Sequence, residues 1–77
     1  MRKQPNRGLD CQGLSSPLPI LQTREVIDEL SSGEVLKLVG TNPGSINDLI
    51  SWSTATGHIL LSSDEEDGIY IYFIQKK

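Results

Sequence analysis

The stretch CQGLSSPLPIL, residues 11–21, connects a predicted strand to a predicted helix and decides where that first helix begins. Proline lacks a backbone N–H and clashes inside a helix, but the first helical turn leaves its N–H groups without intrahelical partners. The stretch therefore predicts Ser16 as the N-cap, with Pro17 at N1 and Pro19 at N3. This arrangement points the side chain of residue 16 outward, over the positive end of the helix dipole.

A cysteine at such a position is more acidic than a free cysteine, because the helix N-terminus stabilises its thiolate. The geometry therefore suits a sulfur nucleophile, yet residue 16 is a serine. Ser-Pro is also an ordinary way to begin a helix. The stretch by itself leaves both interpretations open.

Length and composition predict one small soluble domain over residues 1–77, with the polar, basic residues 1–6 fraying at its start. The chain has 77 residues, of which 36% are hydrophobic and 22% charged. Its net charge is −3, and four consecutive acidic residues occupy positions 64–67. This balance argues against nucleic-acid binding, which needs a basic surface, and favours a basic protein partner.

The chain has a single cysteine, Cys11, and a single histidine, His58. An intrachain disulfide is therefore impossible, and no cluster of residues has metal-ligand spacing, so no metal is expected. No signal peptide is recognisable, and no apolar run approaches the roughly 20 residues that span a bilayer. These features predict a cytoplasmic protein without membrane contact.

Hydrophobic periodicity and turn signals predict six elements in the order βαβαββ. The predicted strands cover residues 7–11, 34–41, 58–63 and 68–75, with an acidic turn over 64–68. The predicted helices cover 17–30 and 45–56, the second capped by Ser45. Their expected core stripes are Leu18, Leu21, Val26, Ile27 and Leu30 in the first helix and Ile46, Leu49, Ile50 and Ser53 in the second. The expected fold is a two-layer α/β sandwich with both helices on one face of a four-stranded mixed sheet.

Two segments of the chain resemble the TusA/SirA-like sulfur carrier family. They are LDCQGLSSPLPIL, residues 9–21, and GEVLKLVGTNPGSINDLISWSTATGHILL, residues 33–61. The family signature consists of Leu-Asp, then Gly-Leu, then Cys-Pro-x-Pro at the start of the first helix. The matching residues are Leu9, Asp10, Gly13, Leu14, Pro17 and Pro19.

The resemblance implies the same βαβαββ sandwich and a role in sulfur relay. In this family the signature cysteine accepts a persulfide from a protein donor, a cysteine desulfurase or a rhodanese-like protein, and passes it to a protein acceptor. The pathways served include tRNA thiolation, molybdenum cofactor assembly and sulfur oxidation. No metal or organic cofactor is implied, and a monomer is expected. By the same resemblance Pro17 and Pro19 orient residue 16, Gly13 lets a donor approach, and Asp10 and Leu14 support the loop.

Ser16 departs from the signature at the position of the family cysteine. A hydroxyl cannot hold a persulfide, and no base adjoins Ser16 in the sequence, so the chain as it stands is expected to be inactive in that transfer. Two origins remain open, an engineered replacement and a natural loss. The alternative function is a non-catalytic interaction or regulatory module on the same scaffold.

Cys11, five residues before Ser16, is the other candidate thiol. The competing interpretation is a small buried residue at the end of the first strand, and the neighbouring Asp10 would oppose thiolate formation. His58 is interpreted as a turn or surface histidine, and Trp52 as a residue at the edge of the core.

Overall fold

The computed structural model of the chain describes residues 5–77, and its elements follow the predicted order βαβαββ. Residues 1–4, where part of the predicted fraying segment falls, lie outside the described residues. Asn6 is anchored to Val35, because its backbone N–H donates to the Val35 carbonyl and its Oδ1 accepts from the Val35 N–H, each at 2.8 Å. The elements are β1 (Arg7–Cys11), α1 (Leu18–Glu29), β2 (Val35–Gly40), α2 (Ser45–Thr56), β3 (Ile59–Glu66) and β4 (Ile69–Gln75).

The four strands form one mixed sheet in the order β1-β2-β4-β3. β1 and β2 are parallel and are joined through α1, whereas β4 runs antiparallel to both β2 and β3. Both helices pack on the same face of the sheet, since Ile27 of α1 and Leu49 of α2 share one buried cluster with the sheet residues that face them. The predicted two-layer sandwich is therefore confirmed. The sheet contributes Cys11, Leu36, Leu38, Tyr72 and Ile74 to that cluster.

The buried face of α1 differs from the predicted stripe. Leu18 and Leu21 are 46% and 45% exposed, whereas Pro19, Thr23 and Ile27, spaced four residues apart, are buried. Thr23 can be buried because its hydroxyl donates to the Pro19 carbonyl at 2.7 Å, which satisfies the polar group within the helix. The prediction for Leu18 and Leu21 was wrong because α1 turns a proline and a threonine, not its first leucines, toward the sheet.

The start of α2 also differs from the prediction, while its end agrees. Gly44 is the N-cap, and Ser45 is the first helical residue and is buried. The Asn42 side chain shapes the approach, since its Oδ1 accepts from the Gly44 N–H at 2.8 Å. Gly57 ends α2 as predicted, with a φ of 89° that suits glycine. Ile50, predicted in the stripe of α2, is 49% exposed.

The hairpin of β3 and β4 has a tighter turn than predicted. β3 continues to Glu66, and the turn consists of Asp67 and Gly68, whose φ angles of 53° and 81° are those of a two-residue type I′ loop. The acidic residues 64–66 are therefore part of an exposed edge strand. Charged side chains on an edge strand discourage pairing with other strands.

Candidate functional site

The loop after β1 is held in place by backbone contacts that position residue 16. The Leu14 N–H donates to the Cys11 carbonyl at 3.1 Å, and the Gly13 N–H donates to Thr41 Oγ1 at 2.9 Å. Gly13 has a φ of +82°, a conformation that L side chains rarely adopt. Leu14 packs against the core. Gly13 and Leu14 therefore fix the loop, through backbone conformation and packing respectively.

Both prolines lie at the start of α1, but one residue out of the predicted register. Pro17 is the N-cap and Pro19 is at N2, and the helix makes no side-chain capping hydrogen bond. The Leu18 N–H donates to the Ser15 carbonyl at 2.9 Å. The prediction that Ser16 caps α1 was wrong, because the Ser16 side chain has a partner on the other helix.

That partner is Asp48, in the first turns of α2. The exposed Ser16 hydroxyl donates to Asp48 Oδ2 at 2.8 Å, across a sequence separation of 32 residues. A hydrogen bond to an ionised carboxylate is stronger than one between neutral groups. The start of α1 and the start of α2 are thus connected at residue 16.

Residue 16 lies at one end of an open groove between the two helices, with a volume of about 410 Å³. The groove combines apolar walls with two opposite charges, those of Arg24 and Asp48. Such a mixture suits a protein segment with both apolar and charged side chains. The lining residues are Ser16, Pro17, Ile20, Arg24, Asp48, Ser51 and Trp52.

Cys11 lies in the core and not in this groove. Its side chain is 0% exposed, and its sulfur lies 3.7 Å from Gln22 Oε1. Burial raises the pKa of the Cys11 thiol, and the nearby negative charge of Asp10 raises it further. A reactive cysteine needs access to solvent and a stabilised thiolate, so this environment is that of a structural cysteine.

Asp10 supports the loop through its side chain. Its Oδ1 accepts a hydrogen bond from the Gln12 backbone N–H at 2.9 Å, an Asx-type turn immediately after β1. Together with Gly13 and Leu14 it holds the chain that leads to residue 16. The sequence-predicted residues therefore separate into a loop support, a buried thiol and the exposed Ser16-Pro17 corner.

His58 has a structural environment beside the end of α2. The Lys77 N–H donates to its Nδ1 at 3.0 Å, and its ring lies 5.1 Å from the Trp52 ring, centroid to centroid. Burial lowers the pKa of His58, Lys76 and Lys77 lower it further, and Asp28 opposes them. Trp52 packs against the core while also lining the groove, as a residue at the edge of the core does.

Sequence reasoning identified Ser16 and Pro17 but not the pairing of Ser16 with Asp48, nor the groove that these residues line. Asp48 lies within the segment 33–61 that resembles the family, but nothing local indicates its contact with a serine so distant in sequence. Among residues 5–77, no group of three or more histidine, cysteine, aspartate or glutamate residues is placed to hold a metal ion. Within the same residues, neither helix has the length and apolar character required to cross a membrane.

Comparison with known proteins places this geometry in context. Residues 7–76 match the protein family described as Sulfurtransferase TusA. The sulfur carrier protein TusA of Allochromatium vinosum is 41% identical over 68 residues, which are 88% of this chain and 90% of that protein. A protein of Aquifex aeolicus is 44% identical over 71 residues, which are 92% of this chain but only 36% of that longer protein.

The fold also has a counterpart among crystal structures. The SirA-like protein of Desulfitobacterium hafniense superimposes with a TM-score of 0.80, covering 90% of this chain and 95% of that one. The two sequences are 22% identical, so this likeness concerns the fold.

Proposed function

Since the chain belongs to the TusA family, we propose that it serves in protein-mediated sulfur relay, with residue 16 at the sulfur-accepting position. One observation carries the proposal: residue 16 is exposed at the end of the interhelical groove, where a partner protein can reach it. The chain's other candidate position, Cys11, is enclosed in the core. A protein donor would bind the groove and present its persulfide to residue 16.

The transfer that this position would support is a thiol–persulfide exchange. The thiolate at residue 16 attacks the terminal sulfur of the donor's persulfide. A new S–S bond forms as the donor's S–S bond breaks, and the donor leaves as a thiolate. No external oxidant or reductant is needed. Ser16 cannot perform this exchange, so a carrier function requires a thiol at that position.

The experiment is persulfide loading, read by intact-protein mass spectrometry. The unsubstituted chain, Ser16→Cys and Ser16→Cys/Cys11→Ser are each incubated with a cysteine desulfurase and cysteine. We expect both Ser16→Cys proteins to gain a reducible sulfur atom and the unsubstituted chain to gain none. Loading of the unsubstituted chain would make Cys11 the working thiol. Failure of all three would contradict the carrier proposal.

A second candidate is a docking module that binds relay partners without moving sulfur. It is favoured by the Ser16–Asp48 hydrogen bond, which joins the starts of the two helices without a thiol. If this is the chain's own role, the unsubstituted chain should slow the loading of Ser16→Cys when both compete for a limiting amount of donor. A control competitor, Arg24→Glu, reverses the charge of one groove residue and should compete more weakly. Equal competition by both would contradict docking through the groove.

A further inference from the structure

The side of the sheet opposite the helices has a distinct side-chain pattern. Alternation along the strands turns Leu36, Leu38, Tyr72 and Ile74 toward the helices, so their neighbours point the other way. We call the outward-facing set the helix-free face. It consists of Gly8, Asp10, Val35, Lys37, Val39, Ile59, Ser62, Asp64, Glu66, Ile69, Ile71, Phe73 and Gln75.

One row across this face runs through all four strands in register. Asp10 pairs with Val39, Val39 with Ile71, and Ile71 with Asp64. The row therefore has a carboxylate at each end and two apolar side chains between them. With strands spaced by about 4.8 Å, the two carboxylate-bearing strands are about 14 Å apart.

The adjacent row extends the apolar centre. Lys37 pairs with Phe73, and Phe73 with Ser62, while Gly8 at the β1 edge has no side chain. Val39, Ile71 and Phe73 are half-buried. An apolar strip bordered by charge on a solvent-facing sheet is typical of an interaction surface.

We propose that the helix-free face is a second docking surface, for an amphipathic helix of a partner protein whose apolar stripe is flanked by lysines and arginines. An α-helix with its side chains is about 10–12 Å across, so it fits between carboxylates about 14 Å apart. Its basic flanks would meet Asp10 on one side and Asp64 on the other. Among the described residues of this face, Glu66 adds a third carboxylate, against the single ammonium of Lys37.

A second copy of this chain is a poorer occupant of the face. Each copy would bring three carboxylates and one ammonium, so like charges would outnumber complementary ones. The proposal goes beyond the relay at residue 16, because the surface lies on the opposite side of the sheet from the groove. The experiments can therefore contradict the docking surface without contradicting the sulfur relay at residue 16, and the reverse.

The test is a titration of the isotope-labelled full chain with a synthetic peptide, followed by amide chemical shifts in NMR spectra. The probe is an amphipathic helical peptide with a leucine stripe flanked by lysines, and its control carries glutamates in place of the lysines. We expect shifts at Val39, Ile71 and Phe73 with the basic peptide, and binding at least about tenfold weaker for the acidic one, since like-charge contacts oppose association.

Charge reversal localises the contact. Asp64→Lys should weaken binding of the basic peptide roughly tenfold, whereas Glu25→Lys on α1, which changes the net charge equally, should change it less than about twofold. The proposal is overturned if the shifts map to the interhelical groove, if both peptides bind equally, or if none binds at millimolar concentration. A dimer seen by sedimentation and abolished by Asp64→Lys would assign the face to a second copy instead and also overturn it. Persulfide loading of Ser16→Cys should be the same in the Asp64→Lys background.

Discussion

The carboxylate of Asp48 should restrain the reactivity of a thiol at residue 16. Its oxygen lies 2.8 Å from the Ser16 hydroxyl oxygen, so in Ser16→Cys it would sit beside the sulfur and oppose its ionisation. Residue 16 is exposed, and two unit charges about 4 Å apart in water interact by about 1 kcal/mol. Because 1.4 kcal/mol corresponds to a tenfold change in an equilibrium constant, 1 kcal/mol corresponds to about a fivefold change in the thiolate population. At neutral pH, Asp48→Asn in the Ser16→Cys protein should therefore increase the rate of alkylation by iodoacetamide about fivefold.

The assay measures the alkylation rate over a range of pH values. It therefore gives the pH midpoint of thiol ionisation as well as the rate at neutral pH. Asp48→Asn should move the midpoint toward lower pH. Asp64→Asn removes the same charge on the other side of the sheet and should leave the midpoint in place. An unchanged midpoint in Asp48→Asn, or one that moves to higher pH, would refute the electrostatic reasoning.

Three further outcomes are expected from the environments of single residues. Gly13→Ala should lower the free energy of unfolding by about 1–2 kcal/mol in urea titrations, because the positive φ of Gly13 strains any residue with a Cβ. The control is Gly8→Ala, where the added Cβ has no atom within 4 Å and φ is ordinary, so the loss should be much smaller. Equal losses in the two variants would contradict this reason. Cys11 should react with a thiol reagent more than about a hundredfold faster in denaturant than in the native protein, because its buried thiol reaches solvent only when the protein unfolds. A fast reaction in the native protein would contradict this burial. The lowered pKa of His58 means that the unfolded chain binds this proton more readily, so stability should fall as pH drops from the ordinary value of 6.5 through the folded pKa. In His58→Asn, which keeps a side-chain acceptor for the Lys77 N–H, that part of the pH dependence should disappear, and its persistence would assign it to other groups.

The order of elements could be predicted because strong local signals separate them. Gly57 ends α2 with a left-handed φ, and Gly68 completes a tight turn between two β-rich segments. β1 was predicted with its observed bounds, Arg7–Cys11. Such signals act within a few residues, so they can be recognised without knowledge of the fold.

The buried face of α1 could not be predicted from periodicity. Leu18, Ile20 and Leu21 place apolar side chains around much of its first turn, so more than one stripe fits the pattern. The helix buries Pro19 and Thr23, residue types that rank low as core residues. Tertiary packing against the sheet therefore determines which face of α1 is buried.

The site was only partly predictable for a similar reason. The loop and the proline pair are contiguous in sequence, so the prolines could be recognised as the feature that orients residue 16 and Asp10 as a support of the loop. The contact of Ser16 with Asp48 joins residues 32 positions apart. This contact exists because the sheet brings the starts of both helices together. A local sequence pattern cannot predict such an arrangement.

The central claim is that the fold presents residue 16, and not another position, for sulfur transfer. It is tested most directly by the rate of persulfide loading from a limiting amount of cysteine desulfurase, in proteins that all carry Cys11→Ser. Ser16→Cys is compared with Ser15→Cys, whose thiol is also exposed and only one residue away. We expect Ser16→Cys to load rapidly and Ser15→Cys to load slowly or not at all. Equal loading at both positions would contradict the claim, because it would show that any exposed thiol in this loop accepts sulfur.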